Sequence, residues 1–581
     1  MKSSSPYLNR EEQALREAGQ TTIRRATAWV LVVVFLAVIC AVPLIQQVHD
    51  MRLRLAGERV SSWPQCYDIF RRVPTAFAVL VHTPGSPTAN SPMARIFAAN
   101  RQLLREMHAY EDALEDESVV SQMLRPPVQY VLSRWLGAGN EKTYCGVQPW
   151  LFYRADIDYL TGLGFLNPVQ LASRAGGGNE WTSTPQPDPR PAILDFQQQL
   201  AQRGIQLMVM PVPPKSVIQP DKFYDRFKAG SVRLQNPSYA AFSRDLKQAG
   251  ILVADVTPVF TGMWSHPGKE GAPYLATDTH WRPETMEVAA RLLKQYINEQ
   301  VQLPPRSNAG YRAQTFGVTN RGDLAVMLRL PEWARGYPSE AVCLRQILTA
   351  RGEPWQADET SDVLVLGDSF CNIYSLDAMG WGESAGLIEQ LSFELQRPLD
   401  RLVINDNGAY ATRALLAREL ARGRDRLAGK RLVIWQFAMR ELAAGDWKSV
   451  ALTLGKPVTS LFVVPAPGND LSVHGVVRVM APVPRPGTVP YKDHIVAVHL
   501  VDVECGEQTI HGGQAFVYLS SMRDNVWTPA ARLRPGDFVT MRLRPWSDVA
   551  PRYERINRTE LSDDVTQLAE PCWGELNPTS R

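Results

Sequence analysis

At 581 residues the chain is too long for one ordinary core, and two or three domains are expected. Its composition, 45% hydrophobic and 21% charged with 15 tryptophans, is that of a folded globular protein and excludes a disordered or collagen-like one. A formal charge of +3 excludes a global electrostatic argument for nucleic acid or for a strongly charged partner.

The first element is "ATAWVLVVVFLAVICAVPLI", residues 26–45, which carries no charge and is long enough for a helix to cross a bilayer. Arg24 and Arg25 precede it and Arg52, Arg54 and Arg59 follow, so the distribution of positive charge decides its orientation only weakly. The run is longer than the apolar part of a cleaved signal and shows no small-residue cleavage site. We expect an uncleaved anchor over residues 26–46 with a cytoplasmic tail over 1–25. No second run of that length follows, so everything beyond about residue 48 is expected on one side of the membrane. Apart from Cys40 in the span, the cysteines are Cys66, Cys145, Cys343, Cys371, Cys505 and Cys572. An even set suits disulfides in an oxidising compartment and favours the periplasm. No C-x-x-C pair is present, which argues against a zinc ribbon or a thioredoxin-type site.

Residues 47–135 have apolar positions at helical spacing and form a membrane-proximal helical region, and "SRAGGGNEWTSTPQPDPRP" after it is an exposed loop. Over residues 136–450 helical stretches such as "PAILDFQQQLAQRG" and "GLIEQLSFELQRP" alternate with short buried runs such as "IQLMVMPVPP", "SDVLVLGDS", "DRLVIND" and "RLVIWQF". That rhythm predicts an α/β domain with a parallel sheet covered on both faces by helices. Residues 455–581 are strand-like, with Pro and Gly turns, and predict a small β-sandwich or barrel. Its Trp527, Trp546 and Trp573 can stack on sugars or fill a core, so it is either a carbohydrate- or partner-binding domain or a structural one.

Two stretches carry chemistry. "LVLGDSF" ends a strand on Gly367-Asp368-Ser369, where Ser369 is either a helix cap or a nucleophile at the carboxyl end of a parallel strand. "YLATDTHWRPETMEV" sets Asp278 two residues before His280, ahead of a helix starting near Pro283. A hydroxyl nucleophile needs an imidazole to take its proton and a carboxylate to fix the imidazole tautomer. In an extended loop, residues two apart point to the same side and would let Asp278 reach one ring nitrogen while the other faces Ser369. Asp278 and His280 are also metal-ligand types, but no third His or Cys lies at convenient spacing, so no metal is expected.

Asp-x-His-Trp upstream of a Gly-Asp-Ser strand end, followed by "IWQF" and Arg440, resembles the alginate O-acetyltransferase group of SGNH-hydrolase-like proteins. The resemblance runs over roughly residues 139–445 and includes "VMPVPPKS", "VTNRGDLAVML" and "NDNGAYATR". It implies an SGNH-like fold in which Ser369 is the nucleophile, His280 the general base and Asp278 its orienting partner. The Asp-x-His pair preceding the serine matches the acetyltransferase branch. For the oxyanion hole it points to the Ser369 N–H, with Asn405 and Gly382 (or Gly380) as further candidates. Arg413 either binds a carboxylate or sugar hydroxyl or is an exposed helix arginine, and Asp368 is structural.

The implied function is a single-pass inner-membrane O-acetyltransferase, with its catalytic domain in the periplasm, that modifies an exported alginate-like polysaccharide by a ping-pong route. A carbohydrate acetyl esterase and a non-catalytic scaffold of an exopolysaccharide secretion complex are the alternatives. No cofactor is expected, because "AGGGNE" neither follows a strand nor opens a helix and so offers no phosphate cradle. Acetyl-CoA cannot cross a bilayer, and one uncharged helix gives it no path. A membrane-bound O-acyltransferase is therefore the expected partner and acetyl donor.

Overall fold

The structure, a computed structural model, describes residues 24–56, 70, 73–74, 92–176, 184–227, 234–265, 271–334, 336–405, 407–456, 462–505, 513–561, 566 and 569–577. The N-terminal tail to residue 23, Arg59, Cys66 and the centre of the glycine-rich loop lie outside them. The chain divides into two compact units, Met1–Ala56 with Trp63–Met123, and Gly57–Ser62 with Leu124–Arg581.

In the first unit the apolar run sits in one helix, Arg25–Leu55, that outlasts the expected 26–46 because "QQVHDMRLRL" supplies no breaker. Its 31 residues rise roughly 46 Å, against a hydrocarbon core of about 30 Å. The apolar side chains from Trp29 to Ala41 lie exposed along it. Among the described residues it is the one helix long and apolar enough to cross a membrane. A second helix, Pro92–Glu117, follows.

In the second unit the end of a helix, Val119–Leu136, leads into a small antiparallel hairpin of β1 (Thr143–Cys145) and β2 (Leu151–Tyr153). Next come β3 (Gln206–Val212) and β4 (Leu252–Val253), then an antiparallel hairpin of β5 (Arg312–Asn320) and β6 (Glu340–Leu348) that the residue pattern did not announce. After them run β7 (Val363–Gly367), β8 (Asp400–Val403) and β9 (Leu432–Ala438). The parallel sheet is ordered β4-β3-β9-β7-β8. All five residues of β7 and all seven of β9 are buried, as strands covered on both faces must be. The covering helices bury one stripe each. Pro283–Gln300, for example, buries Met286, Ala289, Ala290, Leu293 and Ile297 at three- and four-residue spacing.

The C-terminal strands are β10 (Leu471–Met480), β11 (His494–Cys505), β12 (Gln514–Arg523), β13 (Val526–Trp527), β14 (Phe538–Pro545), β15 (Asn557–Thr559) and β16 (Cys572–Leu576). Pairing of β11 with β12 closes the ring β12-β16-β14-β10-β11 into a five-stranded barrel, with β13 and β15 on its flanks. Trp546 and Trp573 fill its core, where Tyr553 stacks on Trp573 at 4.1 Å. Trp527 is part-buried and donates to Pro484 O. The six described cysteines are all free, so none of them makes the disulfides that an even set allows.

Candidate active site

The carboxyl ends of β3, β7, β8 and β9 deliver Lys215, Ser369, Asn405 and Arg440 to one edge of the sheet, where parallel sheets hold their sites. At the end of β7 the chain turns on Gly367, whose added Cβ would stand 2.5 Å from Cys371 Sγ. Asp368 then caps a single helical turn, Ser369–Asn372, accepting from Phe370 N at 2.9 Å. The same carboxylate accepts from Gln436 Nε2 and Ala438 N, so the turn is laced to β9. Asp368 is thus structural, and Ser369 opens the helix without capping it.

Asp278 and His280 sit on the loop 273–282, which is buried although loops ordinarily run over the surface. A buried loop must find partners for its backbone groups. Glu340 accepts from Ala276 N, Thr277 N and Thr277 Oγ1. The Lys215 ammonium donates to Ala276 O and Leu151 O. Asp323 Oδ1 accepts from Thr279 N at 2.7 Å, and Ala325 N donates to Thr277 O. A bridge between Tyr274 and Trp281 closes the loop, and the Tyr374 hydroxyl donates to Trp281 O. Gly322 is required by close approach, since a Cβ there would lie 2.2 Å from Thr277 O.

Within this frame Asp278 Oδ1 accepts from both His280 N (3.1 Å) and His280 Nδ1 (2.7 Å). The pair therefore meets through a tight Asx turn and not through the extended loop expected. His280 Nε2 lies 2.8 Å from Ser369 Oγ, and all three side chains are buried. Asp278 Oδ2 accepts from Trp381 Nε1 at 3.0 Å and from Asp323 N at 3.1 Å, so four N–H groups hold this carboxylate. Burial alone would raise the Asp278 pKa, but His280 and the N–H donors outweigh it and bring it to about 2. Burial likewise opposes a charged His280, yet the hydrogen bond and charge of Asp278 carry its pKa above the ordinary histidine value. The helix Pro283–Gln300 begins after Arg282, so Asp278 is not its cap.

The remaining candidates lie as follows. Asn405 is buried, its Oδ1 accepting from Asn372 Nδ2, its Nδ2 against Met379 Sδ, and its backbone N donating to Asn557 Oδ1. Gly382 has φ +99°, and a Cβ there would press on Leu344 and Phe316 of the β5–β6 hairpin, so packing and backbone both require glycine. Gly380, at φ +79°, is packed against Asn320 and Lys492. Arg413 is neither surface-exposed nor open to a sugar. It is 1% exposed, donates to Ala409 O and lies over the Trp435 ring at 4.8 Å, and burial lowers its pKa to about 10. Arg440 pairs with Asp156 at 3.1 Å, with its guanidinium 5.8 Å from the Phe370 ring.

Residue reasoning missed Trp381, Asp323, Glu340 and Lys215 as partners of the loop. Trp381 sits inside "MGWGES", where attention to the glycines hid it, and Asp323 inside "NRGDLAVML". One donor atom each from Asp278, His280 and Asp323 falls within 4.8 Å of the others, a set that could hold a cation. Both His280 ring nitrogens and both Asp278 oxygens are already committed, so an ion would have to displace the hydrogen bonds that join Asp278, His280 and Ser369.

Residues 179–439 match the family model of an SGNH hydrolase-like domain, acetyltransferase AlgX. A probable alginate O-acetylase AlgJ of Azotobacter vinelandii is 29% identical over 225 residues, 38% of this chain and 50% of that one. The chain thus spans about half the length of this curated relative. Among solved structures, the O-acetyltransferase domain of Pseudomonas putida AlgJ is 18% identical at a TM-score of 0.38, covering 52% of this chain and 93% of that one. Pseudomonas aeruginosa AlgX is 13% identical at 0.37, covering 69% and 90%. The family match thus likens residues 179–439 to an SGNH hydrolase-like acetyltransferase domain.

Proposed function

We propose that the protein is an O-acetyltransferase that moves acetyl groups onto hydroxyls of an exported, alginate-like polysaccharide. The observation that carries this reading is the continuous line Asp278–His280–Ser369, with contacts of 2.7 and 2.8 Å at the carboxyl edge of a parallel sheet. His280 takes the Ser369 proton as Oγ attacks the acetyl carbonyl, and Asp278 holds the tautomer and balances the imidazolium. The Ser369 N–H, at the start of its helical turn, is the oxyanion donor, with Asn405 as a second candidate. Once the donor alcohol leaves with the proton from His280, a sugar hydroxyl enters, gives its proton to His280 and takes the acetyl group.

The apolar helix Arg25–Leu55 supports an inner-membrane anchor with the catalytic domain in the periplasm. In that setting a membrane-bound O-acyltransferase supplies the acetyl group, since acetyl-CoA stays on the other side. The test is to incubate the purified chain with an activated acetyl ester and alginate-type oligosaccharides and to weigh the products. Acetylated sugar is expected, lost by at least a thousandfold in Ser369→Ala with folding intact. Free acetate alone would make the protein an esterase, and full activity in Ser369→Ala would remove the nucleophile.

A further inference from the structure

Asp278 is saturated by four N–H donors, whereas a second carboxyl beside it is not. Asp323 Oδ1 accepts from Thr279 N, but its Oδ2 is buried, has no hydrogen-bond partner among the described residues, and lies 3.8 Å from His280 Nδ1. An ionised oxygen with no donor, beside the charge of Asp278, is costly in such a place. Asp323 is nonetheless built into the site. Gly322 lets its segment press against Thr277, and its own N–H donates to Asp278 Oδ2.

We propose that Asp323 is a positioning residue acting through His280, its carboxyl holding a proton at lower pH and, once ionised to solvent, strengthening His280 as the base for Ser369. The proposal rests on the reading of Ser369 as nucleophile. The groups facing Asp323 are Asp278, Thr279 and His280 on the loop and Lys215 beyond β3, which also feels the charge of Glu340 at the start of β6. Lys215 feels the charge of Asp278, Asp323 and Glu340, but its donors go to Leu151 O and Ala276 O and leave Asp323 Oδ2 bare. Burial first, and then the Asp278 charge, push the Asp323 pKa up to about 7, while the Asp278 carboxylate carries that of His280 above its ordinary value. The two titrate as a pair.

The test reads nucleophile activation without turnover. An alkylsulfonyl fluoride is attacked by Ser369 Oγ at sulfur, fluoride leaves and His280 takes the proton, so the labelling rate against pH reports the base. In the full-length chain, Asp323→Asn is expected to match wild type within about twofold on the acid side and to fall about three- to tenfold below it at pH 8.5, the size of a change of up to one pK unit in the base. Should Asp323→Asn fail to fold, Asp323→Ser keeps an acceptor for Thr279 N without a titratable group and is expected to give the same profile. A loss equal at every pH would show a merely structural residue and overturn the proposal. No labelling of wild-type Ser369 at any pH would instead remove the nucleophile, and the proposal with it.

Discussion

Trp381 reaches Asp278 across 103 positions of sequence to donate one hydrogen bond. Trp381→Phe keeps most of the ring and deletes that N–H, leaving a buried carboxylate oxygen with one donor fewer. We expect kcat to fall about tenfold, equivalent to about 1.4 kcal/mol, with little change in melting temperature. Unchanged kcat would show that the other three donors suffice. The acid side of the pH profile follows from His280. Its pKa is raised, so the protonated and inactive base persists to higher pH than in a free histidine. Activity is therefore lost as pH falls through a value above 6.5, and Asp278→Asn should move that midpoint down. Asp278 itself, held near 2, adds no limb in the working range. Arg413 shows the other face of residue-scale reasoning. Its type suggested a carboxylate or sugar ligand or an exposed helix arginine, and only packing on Trp435 reveals a core residue.

For the loop 273–282, the decisive partners come from elsewhere: Glu340 from β6, Lys215 from beyond β3, and Asp323 and Ala325 from a short helix. Glu340→Ala strips Ala276 N and Thr277 N of their acceptor at once. We expect a loss of about 2–4 kcal/mol in unfolding free energy by denaturant titration, and a larger fractional loss of kcat than of substrate binding. A variant as stable and as active as wild type would mean that the loop holds its shape alone. Strands β3, β7 and β9 were legible because buried parallel strands are continuous apolar runs, Asp278 and His280 because they stand two residues apart, and Ser369 because it ends such a run. The β5–β6 hairpin was not. Its β5 is largely exposed and lacks such a run, and its pairing spans a connection that no short-range pattern encodes. Long-range hydrogen bonds to backbone, such as those of Glu340 and Asp323, likewise leave no trace in sequence spacing.

Across the second unit the barrel is fastened to the catalytic sheet. Asn557 of β15 accepts from Asn405 N just past β8, Lys492 N donates to Ala378 O, and Arg555 donates to Ser375 O. Ion pairs Arg418–Glu560 and Arg424–Glu570 add to the seam. A domain so tied, with Trp546 and Trp573 in its own core and Trp527 packed on that of the sheet, buttresses the loop carrying Asn405. Asn557→Ala should leave Asn405 N unpaired, cost about 1–3 kcal/mol, and lower kcat, as read by thermal melting alongside acetyl transfer. A variant with wild-type melting and rate would make the seam incidental.

The order β4-β3-β9-β7-β8 also sets a schedule for synthesis. Strand β9 is the last of the five to leave the ribosome, yet it lies between β3 and β7. Until residue 438 has emerged, the half of the sheet beside the loop of His280 and the half ending in Ser369 have no strand to join them. Some seventy residues of elongation thus separate the emergence of Ser369 from that of the strand joining the two halves. A chain stopped before β9 therefore holds β4-β3 and β7-β8 as two separate parallel pairs and not as one sheet.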